Sequence, residues 1–324
     1  MKKFRYLIFI LSIATMVLAG CEKELSFDEG GENHNVIALS IVVSPDTTLE
    51  AIVARTYRTG VIDVDQEEEA FKVAASLKNA TVTYSVNGAA PVAMAYDSER
   101  MRFRSDYRPK QGDVITIAAS EQYFPSVSAS MAMPQAPSFK ILQTRKYQLE
   151  YGLDMLETDN FYDGGQDTVV DITLRLKDVS AATKNYYRLK VRSLTEKVVD
   201  GKVVYDANDC FSSSDPLFKD IRLTKPRKGW WKEFSNVFDD NLFNGKEYEC
   251  VITSRLRKGD VGKRIIVVEF QSITEDLYHY LKSVMLYQVT DRNTFTEEVQ
   301  IHTNVDGGMG IAGALAGTKQ TLAF

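Results

Sequence analysis

Short runs in which apolar and polar residues alternate cover most of the chain, as expected for half-buried β-strands. The first run, Val36–Val43, is rich in β-branched residues. Thr81–Val86 leads directly into Asn87-Gly88, a dipeptide that tolerates the positive φ angles of a tight hairpin turn. Because such runs recur roughly every ten residues and are bounded by turn residues, the pattern predicts an Ig-like β-sandwich over residues 34–135.

The second half of the chain continues in strand-like runs. Tyr187, Leu189 and Val191 alternate with basic residues, which is typical of a half-buried strand. Val198–Val204 reads as a second hairpin, with Asp-Gly at its tip. We therefore expect a second β-rich domain over residues 136–324, and the fold class predicted for the whole protein is mainly β.

One segment has helical periodicity. Residues 272–275 read Ser-Ile-Thr-Glu, a capping-box pattern that marks the start of a helix. Apolar residues then recur at i, i+4, i+7 and i+8 from Leu277 and share one face. The pattern predicts one packed helix near residues 273–286 that closes over a sheet. The helix contains the aromatic segment Tyr278–Tyr280, which includes His279. These side chains either contact a ligand or are packed against the core and at its rim.

The first twenty residues have the parts of a secretory signal. Basic residues open the chain, Tyr6–Leu18 is apolar but too short to span a bilayer, and Ala19-Gly20 precede Cys21. We predict that residues 1–20 are a lipoprotein signal peptide and that Cys21 is acylated, with fatty acids such as palmitate. Residues 21–33 are charged and Gly-containing and would form a flexible tether. The alternative is an ordinary signal with a chance cysteine.

The charge of the chain limits its partners. Removal of residues 1–20 would take three positive charges and no acid from a net charge of −5, leaving −8. A mildly acidic body is not expected to bind nucleic acid or to lie flat on an anionic leaflet. The membrane is therefore expected as a partner through the lipid anchor alone.

Two further cysteines follow the anchor position. In an oxidising compartment Cys210 and Cys250 could form a disulfide. They could equally be two separate thiols, since Cys250 alternates within an apparent strand and would then belong to the core.

Both tryptophans lie in a basic segment outside any clear strand. Trp230 and Trp231 are flanked by lysine and arginine between residues 225 and 232. Aromatic faces can stack on sugars or hold a protein partner, so both residues are candidate ligand or partner contacts. The alternative is that one or both tryptophans fill the core beneath a loop.

No residue pattern predicts a catalytic, metal or cofactor site. The three histidines, His34, His279 and His302, lack metal-ligand spacing, and no G-x-S-x-G sequence occurs. Residues 308–313 match G-x-G-x-x-G, but a dinucleotide site needs a βαβ unit around that turn, and the sequence ends at Phe324. We expect these glycines to allow close backbone packing instead, and we expect a protein that is not an enzyme.

Several short sequences in fixed order resemble one known family. Besides the lipobox at Cys21, they are Asn79–Thr83, Ser214–Pro216, Leu242–Lys246, Gln271–Ile273 with Tyr278–Leu281, and Asn304–Gly310. Together they are similar to the "domain of unknown function 4249" lipoproteins of Bacteroidota, over nearly the whole mature chain. The resemblance implies an exported lipoprotein, often encoded beside a TonB-dependent outer-membrane receptor. It implies no catalytic residues.

The expected function is that of a lipid-anchored binding or accessory lipoprotein of the cell envelope. It would act with a TonB-dependent outer-membrane transporter in ligand uptake. The expected location is the outer membrane, with the periplasmic and cell-surface leaflets both open. The alternatives are a surface-exposed hydrolase and a structural or adhesive surface module.

Overall fold

The structure is a computed structural model that describes residues 36–56, 68–149, 167–199, 201–208, 211–218, 236–256, 263–290 and 299–324. The described strands are β1 (Ile37–Val43), β2 (Glu50–Arg55), β3 (Thr81–Val86), β4 (Val92–Ala93), β5 (Ala95–Asp97), β6 (Arg102–Arg104), β7 (Val114–Ser120), β8 (Val127–Ala132), β9 (Ser138–Leu149), β10 (Asp167–Lys177), β11 (Tyr186–Val199), β12 (Lys202–Asn208), β13 (Val237–Asp239), β14 (Glu247–Leu256), β15 (Arg264–Ile273) and β16 (Met309–Ala323). The described helices are α1 (Glu68–Ala75), α2 (Glu275–Thr290) and a 3-10 turn, Pro216–Phe218. The chain is mainly β, as its alternating pattern predicts.

The first apolar core lies between two sheets. β1 buries Ile37, Leu39 and Ile41, every second residue, because one face of the strand points inward. Its sheet, in the order β1-β2-β6-β5, packs against a four-stranded sheet in the order β4-β3-β7-β8, which contributes Ile115 and Ile117. Two sheets over one core are consistent with the sandwich predicted for this part of the chain.

The second core lies between a three-stranded sheet, in the order β14-β10-β9, and the β12-β11-β15-β16 part of a nine-stranded sheet. Aromatic side chains fill it: the Tyr187 ring lies 4.9 Å from Phe270 and 5.5 Å from Phe243 between ring centres. Helix α2 packs on the other face of the nine-stranded sheet, where Leu277 is buried against Ile273. The predicted packed helix is therefore confirmed.

The start of α2 differs from the capping-box prediction. β15 continues to Ile273, so Ser272 belongs to a strand rather than to a helix N-cap. The amide of Tyr278 donates the first helical hydrogen bond to the Thr274 carbonyl over 3.0 Å, which makes Thr274 the N-cap. In the described part of the chain, no helix combines the length and apolar character needed to span a membrane.

Strand β16 joins the two cores. Its residues 309–314 pair in parallel with β1, and its residues 315–323 pair antiparallel with β15. The nine-stranded sheet therefore contains strands from both sides of the boundary predicted between residues 135 and 136. Residues 35–324 form one compact unit. The division of this unit into two domains stays a prediction.

Two glycines of the 308–313 motif let β16 approach β1 closely. Gly310 has a φ of 116°, a backbone conformation that residues with a side chain rarely adopt. A Cβ atom at Gly310 would overlap the carbonyl oxygen of Leu39, and one at Gly308 would overlap that of Ile37. The motif therefore serves close packing of backbone against backbone, as expected from the sequence.

Candidate functional site

Most residues singled out by sequence lie outside the described residues. Cys21 falls within residues 1–35, Cys210 within 209–210, and Trp230 and Trp231 within 219–235. Lipidation at Cys21, ligand or partner contact by the two tryptophans, and the disulfide that includes Cys210 therefore stay predictions.

Cys250 is described, and it lies in the second core. It is a buried residue of β14, opposite Leu174 of β10. Burial raises the pKa of its thiol to about 12, and the nearby Asp215 carboxylate adds to this. The thiol is therefore protonated at neutral pH and is a poor nucleophile. This environment agrees with the interpretation of Cys250 as a core residue.

A polar cleft lies where β11 begins, β15 ends and α2 begins. It has a volume of about 330 Å³. Its lining consists mainly of hydroxyl, amide and charged residues from three separate parts of the chain. The lining residues are Pro134, Gln135, Val179, Ser180, Thr183, Lys184, Asn185, Tyr186, Ser272, Ile273 and Glu275. Most of these residues can donate or accept hydrogen bonds.

The lip of the cleft is fixed by buried carboxylates. Asp240 is almost fully buried and accepts hydrogen bonds from the Asn185 amide at 2.9 Å and from the Asn185 side chain at 3.3 Å. Asp178, also buried, accepts hydrogen bonds from the Tyr187 hydroxyl and, at 2.7 Å, from the Gly245 amide. Satisfied carboxylates of this kind hold the turn before β11 in place.

One wall of the cleft is built by Tyr186. Its hydroxyl donates to Glu275 Oε1 at 2.5 Å, and its ring packs 4.7 Å from the Tyr278 ring between centres. Burial, followed by the hydrogen bond to Glu275, raises the pKa of Tyr186. The phenol therefore stays protonated at any physiological pH and ties the first turn of α2 to the sheet.

A fixed positive charge stands at the rim. Lys184 Nζ lies 3.1 Å from Asp239 Oδ2 and 5.5 Å from the centre of the Tyr186 ring. The hydrogen bond from Lys184 to Asp239 and the charge of that carboxylate raise the pKa of the lysine. Lys184 is therefore cationic at neutral pH and remains half-exposed, available to a ligand beside its acidic neighbour.

Ser272 lines the cleft, but its hydroxyl is buried. The residue is only 4% exposed, and its Oγ has no hydrogen-bond partner within the described ranges. A buried hydroxyl without a partner costs about 1–3 kcal/mol. Ser272 pairs with Tyr187 across β15 and β11, so its side chain lies on the face of the sheet opposite to that of Tyr186.

The aromatic segment of α2 contains one packed and one rim side chain among Tyr278 and His279. Tyr278 is buried under Tyr186 and is a packed aromatic. His279 is exposed, with Nε2 3.7 Å from Glu275 Oε1, and its ring centre lies 5.6 Å from that of His302. His302 Nε2 in turn lies 2.9 Å from Asp276 Oδ1. No group of three or more His, Cys, Asp or Glu residues in the described segments is arranged to hold a metal ion.

The cleft shows no catalytic arrangement among the described residues. No described serine hydroxyl is hydrogen-bonded to an imidazole nitrogen, and Ser272 Oγ contacts no base. Nucleophilic catalysis by serine requires such a base within hydrogen-bond distance. The sequence does not predict that Lys184, Tyr186 and Ser272 line one cleft. Lys184 lies in the loop before β11, and neither a loop residue nor a strand residue carries a local signal of its neighbours in space.

The protein is mainly β, and a small cleft lies beside its packed helix. Residues 22–321 match the profile of the family described as "Domain of unknown function (DUF4249)", and the chain belongs to this family. The resemblance inferred from its short sequences is thereby confirmed. No curated protein matches the chain.

Proposed function

We propose that this protein is a lipid-anchored cell-envelope lipoprotein that binds a small polar ligand and acts with a TonB-dependent outer-membrane transporter. Acylated Cys21 would hold it at the outer membrane of a bacterium of the Bacteroidota, on the periplasmic or the cell-surface leaflet. The signal-like start of the chain and the lipoprotein character implied by the family resemblance support this location. Two or three acyl chains anchor a protein stably, whereas one does not.

The observation that carries the binding role is the cleft itself, at whose rim the cationic Lys184 side chain is half-exposed. Lys184 and Glu275 place opposite charges at the rim, and hydroxyl and amide groups line the interior. A ligand with several hydroxyl or amide groups could satisfy these donors and acceptors together. We therefore expect a small polyhydroxylated or amide-bearing molecule rather than an apolar one.

Ligand binding is tested with a panel of sugars, amino sugars and short peptides against the purified protein. A ligand of the cleft should raise the thermal unfolding midpoint of the native protein, because it binds only the folded state. Lys184→Ala should abolish this rise. Lys140 is an exposed lysine of β9 outside the cleft, so Lys140→Ala should retain the rise. A ligand that stabilises both variants equally binds elsewhere and would count against the cleft.

The transporter partnership is tested by affinity purification from detergent-solubilised outer membranes. We expect an integral β-barrel receptor to be recovered with the tagged protein, and to be lost when the membranes are dissolved in denaturing detergent. Recovery of the lipoprotein alone, in repeated preparations and in mild detergents, would contradict the partnership.

Of the two alternatives, a surface interaction module has an observation in its favour. The hairpin formed by β11 and β12 exposes several valines and a tyrosine. Exposed apolar groups of this kind are typical of surfaces that contact another macromolecule. For a surface hydrolase, the described residues offer no nucleophile paired with a base.

A further inference from the structure

The β11–β12 hairpin extends beyond the sheet to which it belongs. β11 pairs with β15 only as far as Thr195, whereas its pairing with β12 continues from Ser193 to Val199. Five large apolar side chains near the tip are between 41% and 69% exposed. They are Val198, Val199, Val203, Val204 and Tyr205.

Among the described strands, only β11 pairs with β12, so the outer edge of this hairpin has no described neighbour. β12 is the last strand in the order β12-β11-β15-β16, counted over the strands that the structure describes. An edge strand presents a row of unpaired backbone amides and carbonyls, which another strand can extend. Natural proteins usually protect such edges with short length, proline or charge, but the middle of β12 reads Val-Val-Tyr.

The sequence of β12 is complementary to itself. Residues 202–206 read Lys-Val-Val-Tyr-Asp, with a basic residue at one end, an acidic residue at the other and apolar residues between them. If two copies pair antiparallel about Val204, Val204 faces Val204, Val203 faces Tyr205, and Lys202 faces Asp206. Opposite charges and apolar pairs directly across an antiparallel ladder are stabilising.

We propose that two copies of this chain associate through their β12 edges, antiparallel and centred on Val204, so that the two sheets become continuous. Val198 lies opposite Val203 within each hairpin, so these two side chains share a face with Tyr205. The dimer would gather the three side chains of both copies into one apolar surface. Val199 and Val204 would do the same on the other face.

A second copy fits this edge better than a lipid bilayer. Lys202 lies directly opposite Val199 at the tip, and a bilayer that took up the valines would have to take up this charge as well. The hairpin tip lies beyond the end of β16 that contains Ala323. The folded unit begins at β1, which pairs with the opposite end of β16, at Met309. At ~3.3 Å per residue the two ends are about 60 Å apart along the sheet.

The register is tested by disulfide formation between copies of the full-length protein in its native membranes. In a ladder centred on Val204, the two Val204 Cα atoms would be about 4.5–5.5 Å apart, within the range that a disulfide bridges. Val204→Cys should therefore give a covalent dimer on mild oxidation. Val114→Cys is the matched control, because Val114 is similarly exposed but lies in a strand with neighbours on both sides. It should remain monomeric.

A charge reversal tests the same register without a new thiol. In Lys202→Asp, the new aspartate of each copy would face Asp206 of the other copy, so both ends of the ladder would carry two opposed acids. We expect this variant to reduce the dimer fraction in sedimentation equilibrium at least tenfold. The double variant Lys202→Asp/Asp206→Lys restores opposite charges, and it should recover the dimer. Circular dichroism that matches the unaltered protein shows that the variants fold.

Three results would overturn the proposal. One is a Val204→Cys protein that stays monomeric under oxidation, as Val114→Cys does. Another is a Val204→Cys disulfide to a different protein in place of the dimer, which would assign the edge to another partner. The third is a double variant that remains as dissociated as Lys202→Asp, since the pairing of Lys202 with Asp206 would then be wrong.

Discussion

Tyr186 and Tyr187 are neighbours in β11, yet their hydroxyls bind carboxylates on opposite faces of the nine-stranded sheet. Tyr186 donates to Glu275 on helix α2, and Tyr187 donates to Asp178 beside the second core. Successive side chains of a strand point to opposite faces, so one short segment can hold two layers at once. The two phenols therefore fix the helix and the turn before β11 relative to the same strand.

The two hydrogen bonds should differ in their contribution to stability. Tyr187→Phe leaves the buried Asp178 carboxylate without its phenol donor, and we expect a loss of about 2–3 kcal/mol in the free energy of unfolding. Tyr186→Phe should cost less, about 1 kcal/mol or below, because the Glu275 side chain is 64% exposed and water can replace the phenol. Urea unfolding of the two variants provides the comparison, and equal losses would contradict it.

Stability should decline at alkaline pH. The hydrogen bond to Asp113 and burial raise the pKa of Tyr107 to about 12, whereas a tyrosine in the unfolded chain titrates near 10. Above about pH 10 the unfolded chain therefore loses a proton that the native protein keeps. The contribution of Tyr107 is complete below pH 10 and is lost as the pH rises through about 12.

Urea midpoints measured at pH 8, 10 and 11.5 check this pH dependence. Tyr107→Phe should make the decline between pH 10 and 11.5 shallower. Tyr123→Phe is the matched control, since Tyr123 is 89% exposed, and it should leave the decline unchanged. An unaltered decline in Tyr107→Phe would show that the Tyr107 phenol does not contribute.

Local sequence patterns predicted where strands and turns occur, but they did not predict which elements pack or pair with one another. The alternation in Val36–Val43 and the Asn87-Gly88 turn, with φ angles of 54° and 75°, are present as expected. The parallel pairing of β1 with β16 was not predictable, because the two strands are far apart in sequence and neither strand's sequence indicates which strand it pairs with. The cleft escaped prediction for the same reason.

The capping-box prediction failed for a related reason. A Ser-x-x-Glu spacing marks a helix start only if the serine lies outside regular structure. Here the pairing of β15 with β11 and β16 extends through Ser272, so tertiary contacts decide the boundary. The correct N-cap, Thr274, lies two residues later in the same pattern.

Gly310 should be the glycine least tolerant of substitution at the junction of β16 with β1. An alanine there would adopt an unfavourable φ and place its Cβ against the Leu39 carbonyl, so we expect a loss of about 3 kcal/mol or more. Gly88→Ala has a positive φ but open space around the new Cβ, and should cost about 1 kcal/mol. Thermal unfolding of the two variants distinguishes the cost of the steric overlap from the cost of the positive φ. Similar losses of stability in both variants would exclude the packing role of Gly310.

Ser272→Ala should not destabilise the protein. It removes a buried hydroxyl that has no partner within the described residues, so the free energy of unfolding should stay the same or rise by about 1 kcal/mol. Thr274→Val is the comparison, because the Thr274 hydroxyl accepts a hydrogen bond from the Ala314 amide at 3.2 Å. That variant should lose about 1 kcal/mol. A clear loss on Ser272→Ala, measured in urea, would show that the hydroxyl has a hydrogen-bond partner in the folded protein.

Substitution of Cys21 should affect only membrane anchoring, and substitution of Cys250 only folding stability. Cys21→Ser removes the thiol that we propose to be acylated, and because the folded unit begins at residue 35, the unfolding midpoint should not change while the protein leaves the membrane fraction. Cys250→Ser puts a hydroxyl into a buried site, so it should remain membrane-bound but lose about 1–3 kcal/mol of stability. Membrane fractionation, intact mass and urea unfolding of both variants make the test. A native mass without acyl chains, or a Cys21→Ser protein that stays with the membrane, would rule out the lipid anchor.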